Sequence, residues 1–398
     1  MSTKLIITKF NNMTISSTFE GNDMVQVYAN AGEETILGNI YNGKVKNIVK
    51  NINAAFLEIE KGRMCYLSLN EVYDPLFLTP KKNNNVNVGD ELLIQITKED
   101  VKTKVPVATT NLNFTGKYVV LVHGKPGIGI SSKIQDVKLR KQLKESIQPY
   151  HNDTYGLIVR TNAAFVTKEL VEEEIRTLAC IYEDVKDRGS HKTAFALVSP
   201  APAGYLCDIR DSLSINTDEI LTDNREIYEE ILDYLKTYQK EDLTKLVFFE
   251  DKLITLSNLY GIKTKLENAL RQKVWLKSGG SIIIEPTEAL TVIDVNTGKA
   301  ISGKKRPKDT FFKINLEAAI EIAKQIRLRN LSGILIIDFI DMEEEEYKLK
   351  LMKELEELFK KDPVKTILVD MTALNLVEVT RKKVRKPLHE QINLKMLE

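Results

Sequence analysis

The chain has 398 residues, with 57 Lys and Arg against 56 Asp and Glu, and 43% apolar against 28% charged side chains. That length exceeds what one hydrophobic core organises, so several compact units are expected. A net charge of +1 excludes a molecule that is cationic throughout, so any anionic ligand must be held by local patches, and the apolar content excludes a disordered chain.

The N-terminal run MSTKLIITKFNN is too short for a signal peptide, and no later stretch reaches the roughly 18 apolar residues of a membrane span. Cys65, Cys180 and Cys207 are far apart and lack CxxC spacing, which argues against disulfides and against a structural zinc. A cytoplasmic protein with no membrane partner is expected. From residue 36 to about 110, short apolar runs (ILGNIYNGKVKNIVK, AAFLEIEKG, MCYLSL, DELLIQIT) are broken by Asn, Gly and Lys clusters and predict a small β-barrel, with PKKNNNVNVGD as an exposed loop. Residues 113–206 mix the strands GKYVVLV and YGLIVRT with the helices DVKLRKQLKESIQ and TKELVEEEIRTLACIYEDVKD, an α+β pattern closed by SPAPAG. Helical spacing dominates residues 208–272, as in NREIYEEILDYLKTY and TKLENALRQKVW, with one strand-like LTKLVFFE.

After SGG at 278–280, SIIIEPTEALTVIDVNTG predicts a strand, a turn and a strand, INLEAAIEIAKQIRLRN a helix, and GILIIDFI a further strand. The helix is expected to place Leu316, Ala319, Ile320, Ala323 and Ile326 on one core face, with Glu317 and Glu321 early and Arg327 and Arg329 late, matching the macrodipole. Strand, helix and strand of these lengths form a βαβ unit, which brings Asp294 and Asp338 side by side at one sheet edge, where open α/β sheets bind ligands. Two carboxylates there repel, and a divalent cation relieves the repulsion. Magnesium uses one or two carboxylates and keeps most of its waters. Asn296, on the same side of the strand, is placed to orient a carboxylate or bond a phosphate oxygen. The competing reading is that strand-end aspartates cap turns. Asp341 and the acids from Glu343 to Glu346 read as first-turn residues that complement the next helix.

In the predicted barrel, Phe56 and Tyr66 lie on neighbouring strands with Lys44 and Lys46 nearby, which suits single-stranded nucleic acid, although aromatics in short strands more often build a core. Arg160 and Thr161 end a buried strand with a guanidinium fork beside a hydroxyl, fit for a terminal phosphate or for a structural ion pair. KKRPK at 304–308 and RKKVRK at 381–386 either touch a phosphate backbone or are solvated. His123, His151, His191 and His389 lie outside these motifs and read as structural or surface residues.

The ordered segments AAFLEI, GLIVRTNA, KVWLKSGGSIIIEPTEALTVIDVNTGK, INLEAAIEIAKQIRLRN, GILIIDFIDM and LVEVTRKKVR resemble the catalytic region of the ribonuclease E/G family over nearly the whole chain. The resemblance implies a multidomain α+β fold. Its expected parts are a split ribonuclease-H-like domain (1–34 and 207–272), an S1/OB RNA-binding barrel (35–112), a 5′-sensor α+β unit (113–206) and a DNase-I-like α/β catalytic domain (273–398). It further implies a magnesium-dependent endoribonuclease, with manganese as a substitute, that cuts single-stranded RNA to leave a 5′-phosphate and a 3′-hydroxyl and prefers 5′-monophosphorylated substrates. Asp294 and Asp338 match the family's metal ligands and Asn296 the asparagine that assists them. Arg160, Thr161 and Val120 match the 5′-phosphate pocket, and Phe56, Tyr66 and Lys104 the RNA grip of the barrel.

The chain departs from the pattern in three places. KPLHEQINLKMLE follows where the family carries a CPxC zinc hinge, so no zinc is expected and a homodimer would need another route. Ser132 stands where a basic residue is common, and Val105 where Gly is general. The rival functions are a non-catalytic S1-type RNA-binding or ribosome-associated protein, and a metal phosphohydrolase acting on DNA or small phosphoesters.

Overall fold

The alternation of apolar and polar residues along the first strands and the long apolar runs after residue 280 set up two different sheets. The computed structural model describes residues 2–11, 13–30, 35–99, 105–212, 217–298 and 307–397. Contacts divide the chain into two units, one made of residues 1–32, 217–230 and 245–398, the other of residues 33–216 and 231–244.

In the first unit, Thr3–Phe10, Met13–Glu20 and Asp23–Asn30 form an antiparallel meander that Glu219–Thr222 and Leu246–Phe248 extend in parallel. Ile6, Phe19, Val27, Leu266 and Leu388 fill its core. A six-stranded sheet follows in the order Lys273–Trp275, Ser281–Pro286, Leu290–Asn296, Gly333–Asp338, Leu376–Arg381, Thr366–Met371. The helices Pro307–Leu328 and Glu345–Lys360 supply one side of its core, where Ala318, Ile322, Leu351 and Leu355 meet Ile282, Ile293, Val295 and Ile337. Residues between these inward positions, among them Ile283, Asp294 and Asn296, lie on the opposite, open face, as the strand period of two requires.

The fold corrects three sequence expectations. The buried stripe of the long helix runs through Ile314, Ala318, Ala319, Ile322 and Ile326, whereas Ile320 is 54% exposed. Both stripes fit helical spacing, and contact with the sheet selects between them. The helix predicted through TKLENALRQKVW stops at Leu270, and Lys273–Trp275 is an edge strand. The backbone turns extended at Arg271 (ψ 141°). RKKVRK is also revised, because Arg381 is 4% exposed. Its guanidinium donates to Asp362 at 2.7 and 3.3 Å, to the Asn330 Oδ1 at 2.7 Å and to the Leu331 carbonyl at 3.0 Å. Arg385 lies 4.3 Å from the Tyr28 ring centroid. In KKRPK, residues 304–306 lie outside the described residues.

In the second unit, Ile40–Val49, Ala54–Glu60, Arg63–Ser68, Val107–Thr109 and Glu91–Lys98 make a five-stranded barrel, closed where the first strand pairs with Glu91–Lys98. Tyr41, Leu57, Ile59, Leu67 and Ile94 fill its interior. A four-stranded sheet, Gly127–Ile130, Tyr155–Val159, Val119–His123 and Asn113–Thr115, packs with the helices Val137–Ile147 and Lys168–His191. His123 is buried there, and burial lowers its pKa. Its Nε2–H donates to the Asp74 carbonyl at 2.6 Å, which leaves Nδ1 to accept from the Tyr182 hydroxyl at 3.0 Å. Its role is structural.

Candidate active site

Leu290–Asn296 and Gly333–Asp338 run parallel, with Asp294 directly opposite Asp338. Neighbouring strands lie about 4.8 Å apart, so both carboxyl groups rise from adjacent positions on the open face. The Asn296 Nδ2 donates to the Asp294 Oδ2 at 2.6 Å, fixing one carboxylate against its strand. Burial raises the pKa of Asp338, and the charges of Asp294 and then Asp341 raise it further. Asp341, read from sequence as a helix-start acid, therefore acts electrostatically on the pair.

The same long helix clamps loops on both sides of this edge. Asn315, fully buried, donates Nδ2 to the Ile340 carbonyl at 2.8 Å and accepts the Ile340 N–H at 3.1 Å, holding the chain just past Asp338. The Glu317 carboxylate accepts the Lys277 N–H at 2.6 Å and the Ser278 N–H, holding the hairpin that faces Asn296. The sequence reading missed Asn315. Its signal was a polar residue on the apolar stripe of the helix, between Ile314 and Ala318. Gly298 has φ +53°, and a Cβ there would lie 2.4 Å from the Gly279 carbonyl oxygen. The turn after Asn296 thus rests directly on the hairpin backbone.

The Arg160 corner is built differently. The Arg160 guanidinium donates to Asp211 at 2.7 Å and to the Gly116 carbonyl at 2.5 Å. Asp211 is held down to about 2 by its arginine partners, Arg210 first, despite burial. Thr161 Oγ1 and Ser131 Oγ lie 3.1 Å apart. Val120 sits opposite Ile158, which is 44% exposed, so an apolar surface adjoins these groups. The segment behind them is fastened by Glu174, which accepts the N–H groups of Lys117, Tyr118 and Val119 at 2.6 to 2.7 Å. Burial nevertheless pushes the Glu174 carboxyl up to about 7. A Cβ on Gly116 would lie 2.4 Å from that carboxyl carbon, so only glycine fits. Lys117 pairs with Asp242 in the interior. Ser132 follows the hydroxyl pair, and Arg140 donates to the Ser131 and Ile134 carbonyls at 2.8 and 3.0 Å around it.

On the barrel, Phe56 and Tyr66 are cross-strand partners with ring centroids 5.9 Å apart, edge to face. Both are half-buried and stand apart from the interior cluster. Lys44 pairs with Glu91 at 2.9 Å and Lys46 with Glu58 at 2.7 Å. Lys104 lies outside the described residues.

The family model described as the ribonuclease E/G family matches residues 113–384. Ribonuclease G of Salmonella typhimurium (strain SL1344) and ribonuclease G of Escherichia coli (strain K12) are each 33% identical over 362 residues, covering 88% of this chain and 73% of theirs. Ribonuclease E of Haemophilus influenzae is 29% identical over 367 residues, 90% of this chain and 39% of its own length. The chain belongs to the ribonuclease E/G family, and as a member it is an endoribonuclease, an enzyme that hydrolyses RNA phosphodiester bonds. Among the described residues, no helix is long and apolar enough to cross a membrane.

Proposed function

We propose that the protein is a magnesium-dependent endoribonuclease that cleaves single-stranded RNA at the Asp294–Asp338 edge, leaving a 5′-phosphate and a 3′-hydroxyl. The observation that carries this reading is the in-register pair of acids on adjacent parallel strands, with Asn296 bonded to one of them. The donor set is oxygen only. A cation there would be held by the Asp294 and Asp338 carboxylates and its own waters, an oxygen set that suits magnesium or manganese better than zinc.

Bound there, the ion supplies Lewis-acid polarisation of a phosphate oxygen and a water of lowered pKa. Asp294 and Asp338 anchor that charge, and Asn296 keeps Asp294 from rotating away. Hydrolysis forms a bond from water oxygen to phosphorus, breaks the bond from phosphorus to the 3′ oxygen, and leaves a proton on that oxygen. The helix clamps at Asn315 and Glu317 keep both loops in place during the exchange.

Within this reading, the sheet of Thr3–Phe10 and its partners corresponds to the ribonuclease-H-like part, and residues 273–398 to the DNase-I-like part. The barrel corresponds to an S1 module with Phe56 and Tyr66 toward RNA, and the Arg160, Thr161 and Val120 corner to a 5′-monophosphate sensor. The three cysteines are free, in keeping with a reducing cytoplasm. The test is incubation of a labelled single-stranded RNA with the protein and Mg²⁺, with and without chelator. Chelator-sensitive cuts carrying 5′-phosphates are expected, and absence of cutting would favour the non-catalytic RNA-binding reading.

A further inference from the structure

Beside the acid pair, the open face carries a groove of about 580 Å³ whose lining includes Lys273, Trp275, Ser281, Ile283 and Asn296. Strand register explains the grouping. Lys273, Ile283, Asp294 and Asp338 lie opposite one another across four strands, and Trp275, Ser281 and Asn296 across three. Positions two apart on a strand share a face, so both rows project the same way, with Trp275 about 10 Å, two strand spacings, from Asn296.

Trp275 is the only tryptophan of the chain and is 66% exposed. The Lys273 Nζ stands 4.0 Å from its ring centroid, which leaves the opposite ring face for another planar group. On its other flank the same strand borders a groove of about 840 Å³, where Lys265 and Arg271 contribute beside Lys324, itself paired with Asp23 at 3.1 Å. An aromatic ridge with cations between two grooves is the combination that binds single-stranded nucleic acid, with bases stacked on rings and phosphates drawn by ammonium and guanidinium groups.

We propose that Trp275 is the platform on which a base adjoining the scissile phosphate stacks, that Lys273 holds a neighbouring phosphate, and that the strand crosses this ridge into the basic groove. The inference rests on the reading of Asp294 and Asp338 as the centre of cleavage. It assigns to this edge a positioning of substrate that the acid pair alone does not supply.

Because Trp275 is the only tryptophan, its emission reports this site alone. The full-length Asp338→Asn variant is titrated in Mg²⁺ with a fluorescein-labelled single-stranded oligoribonucleotide. Anisotropy follows binding, and an unlabelled copy of the oligonucleotide is used for tryptophan emission. Quenching that saturates with the anisotropy curve is expected. In the active protein, Trp275→Leu lowers kcat/KM by about tenfold, within the range of one stacked base and mostly through KM, and Trp275→Phe recovers most of that loss. Binding without any emission change, or Trp275→Leu cleaving at the unsubstituted rate, overturns the proposal. Persistent cutting by Asp338→Asn sinks the acid-pair reading instead, while the emission titration still tests Trp275.

Discussion

Two strand ends in this molecule carry polar groups out of an apolar run, and they are finished in opposite ways. At Asp294 and Asp338 the carboxylates lie opposite each other across a parallel register, and Asn296 donates a hydrogen bond that orders Asp294. At Arg160 the guanidinium is held by Asp211 and the Gly116 carbonyl. The acid pair keeps its like charges in tension, whereas this corner neutralises its own charge and would meet an anion only with the guanidinium N–H groups that those two bonds leave over. If the proposed function holds, the acid pair should be indispensable and the Arg160 corner adjustable.

The largest expected effect tests the first half of that contrast. Asp294→Asn or Asp338→Asn should lower RNA cleavage by at least about a thousandfold, the worth of several kcal/mol of charge stabilisation, with RNA binding retained in a filter or anisotropy assay. Folding should hardly suffer, since either change relieves a like-charge pair and an amide oxygen at position 294 can still accept from Asn296. Arg381 gives the opposite case, a strand-end charge wholly consumed inside the protein. Arg381→Ala should cost roughly 3–5 kcal/mol of stability in urea unfolding, because the buried Asp362 carboxylate then loses the cation that compensates its charge. A neutral outcome would show that its partners reorganise freely.

The pH profile sharpens the same contrast. Burial, then the charges of Asp294 and Asp341, raise the pKa of Asp338, so without a bound cation it takes up a proton before an exposed aspartate would as pH falls. Protons and Mg²⁺ should therefore compete for this carboxylate: the acid limb of kcat/KM should move to lower pH as Mg²⁺ is raised, and at limiting Mg²⁺ Asp341→Asn should move it downward. A limb unmoved by that substitution would remove Asp341 from the electrostatics of the site. A smaller effect is expected at the satisfied corner. Asp211→Asn loosens Arg160 and should raise the preference for 5′-monophosphate over 5′-hydroxyl RNA by about fivefold, one charge-assisted bond's worth. If the preference is absent in both proteins, Arg160 is a structural ion pair and nothing more. The smallest change is expected on the barrel, where Phe56→Ala should weaken RNA binding by about fivefold, the low end of stacking.

Much of this was legible in the residues. The runs LTVIDVN and GILIID, with a helix-length segment between them, were enough to predict parallel neighbours with matched aspartates, because topology leaves a βαβ unit little freedom. The barrel strands announced themselves through β-branched runs between Asn and Gly clusters. Other features depend on tertiary partners that a one-dimensional pattern does not contain. Ile320 and Ile322 fit two overlapping helical stripes, and only contact with the sheet buries Ile322. KVW continues the spacing of the preceding helix, so Trp275 was read as a helical residue although the SGG turn behind it was a hairpin signal. Arg381 looked like one more solvated cation in RKKVRK, since nothing local reveals that Asp362 waits nineteen positions earlier.

Gly298 and the hairpin backbone it touches give the acid edge a mechanical lever. A single methyl group at position 298 would wedge against Gly279 and pry the amide of Asn296 away from the carboxylate it steadies, without removing any ligand. On the proposed reading, the precision of cleavage would depend as much on what two loops are allowed to lack as on the acids they display.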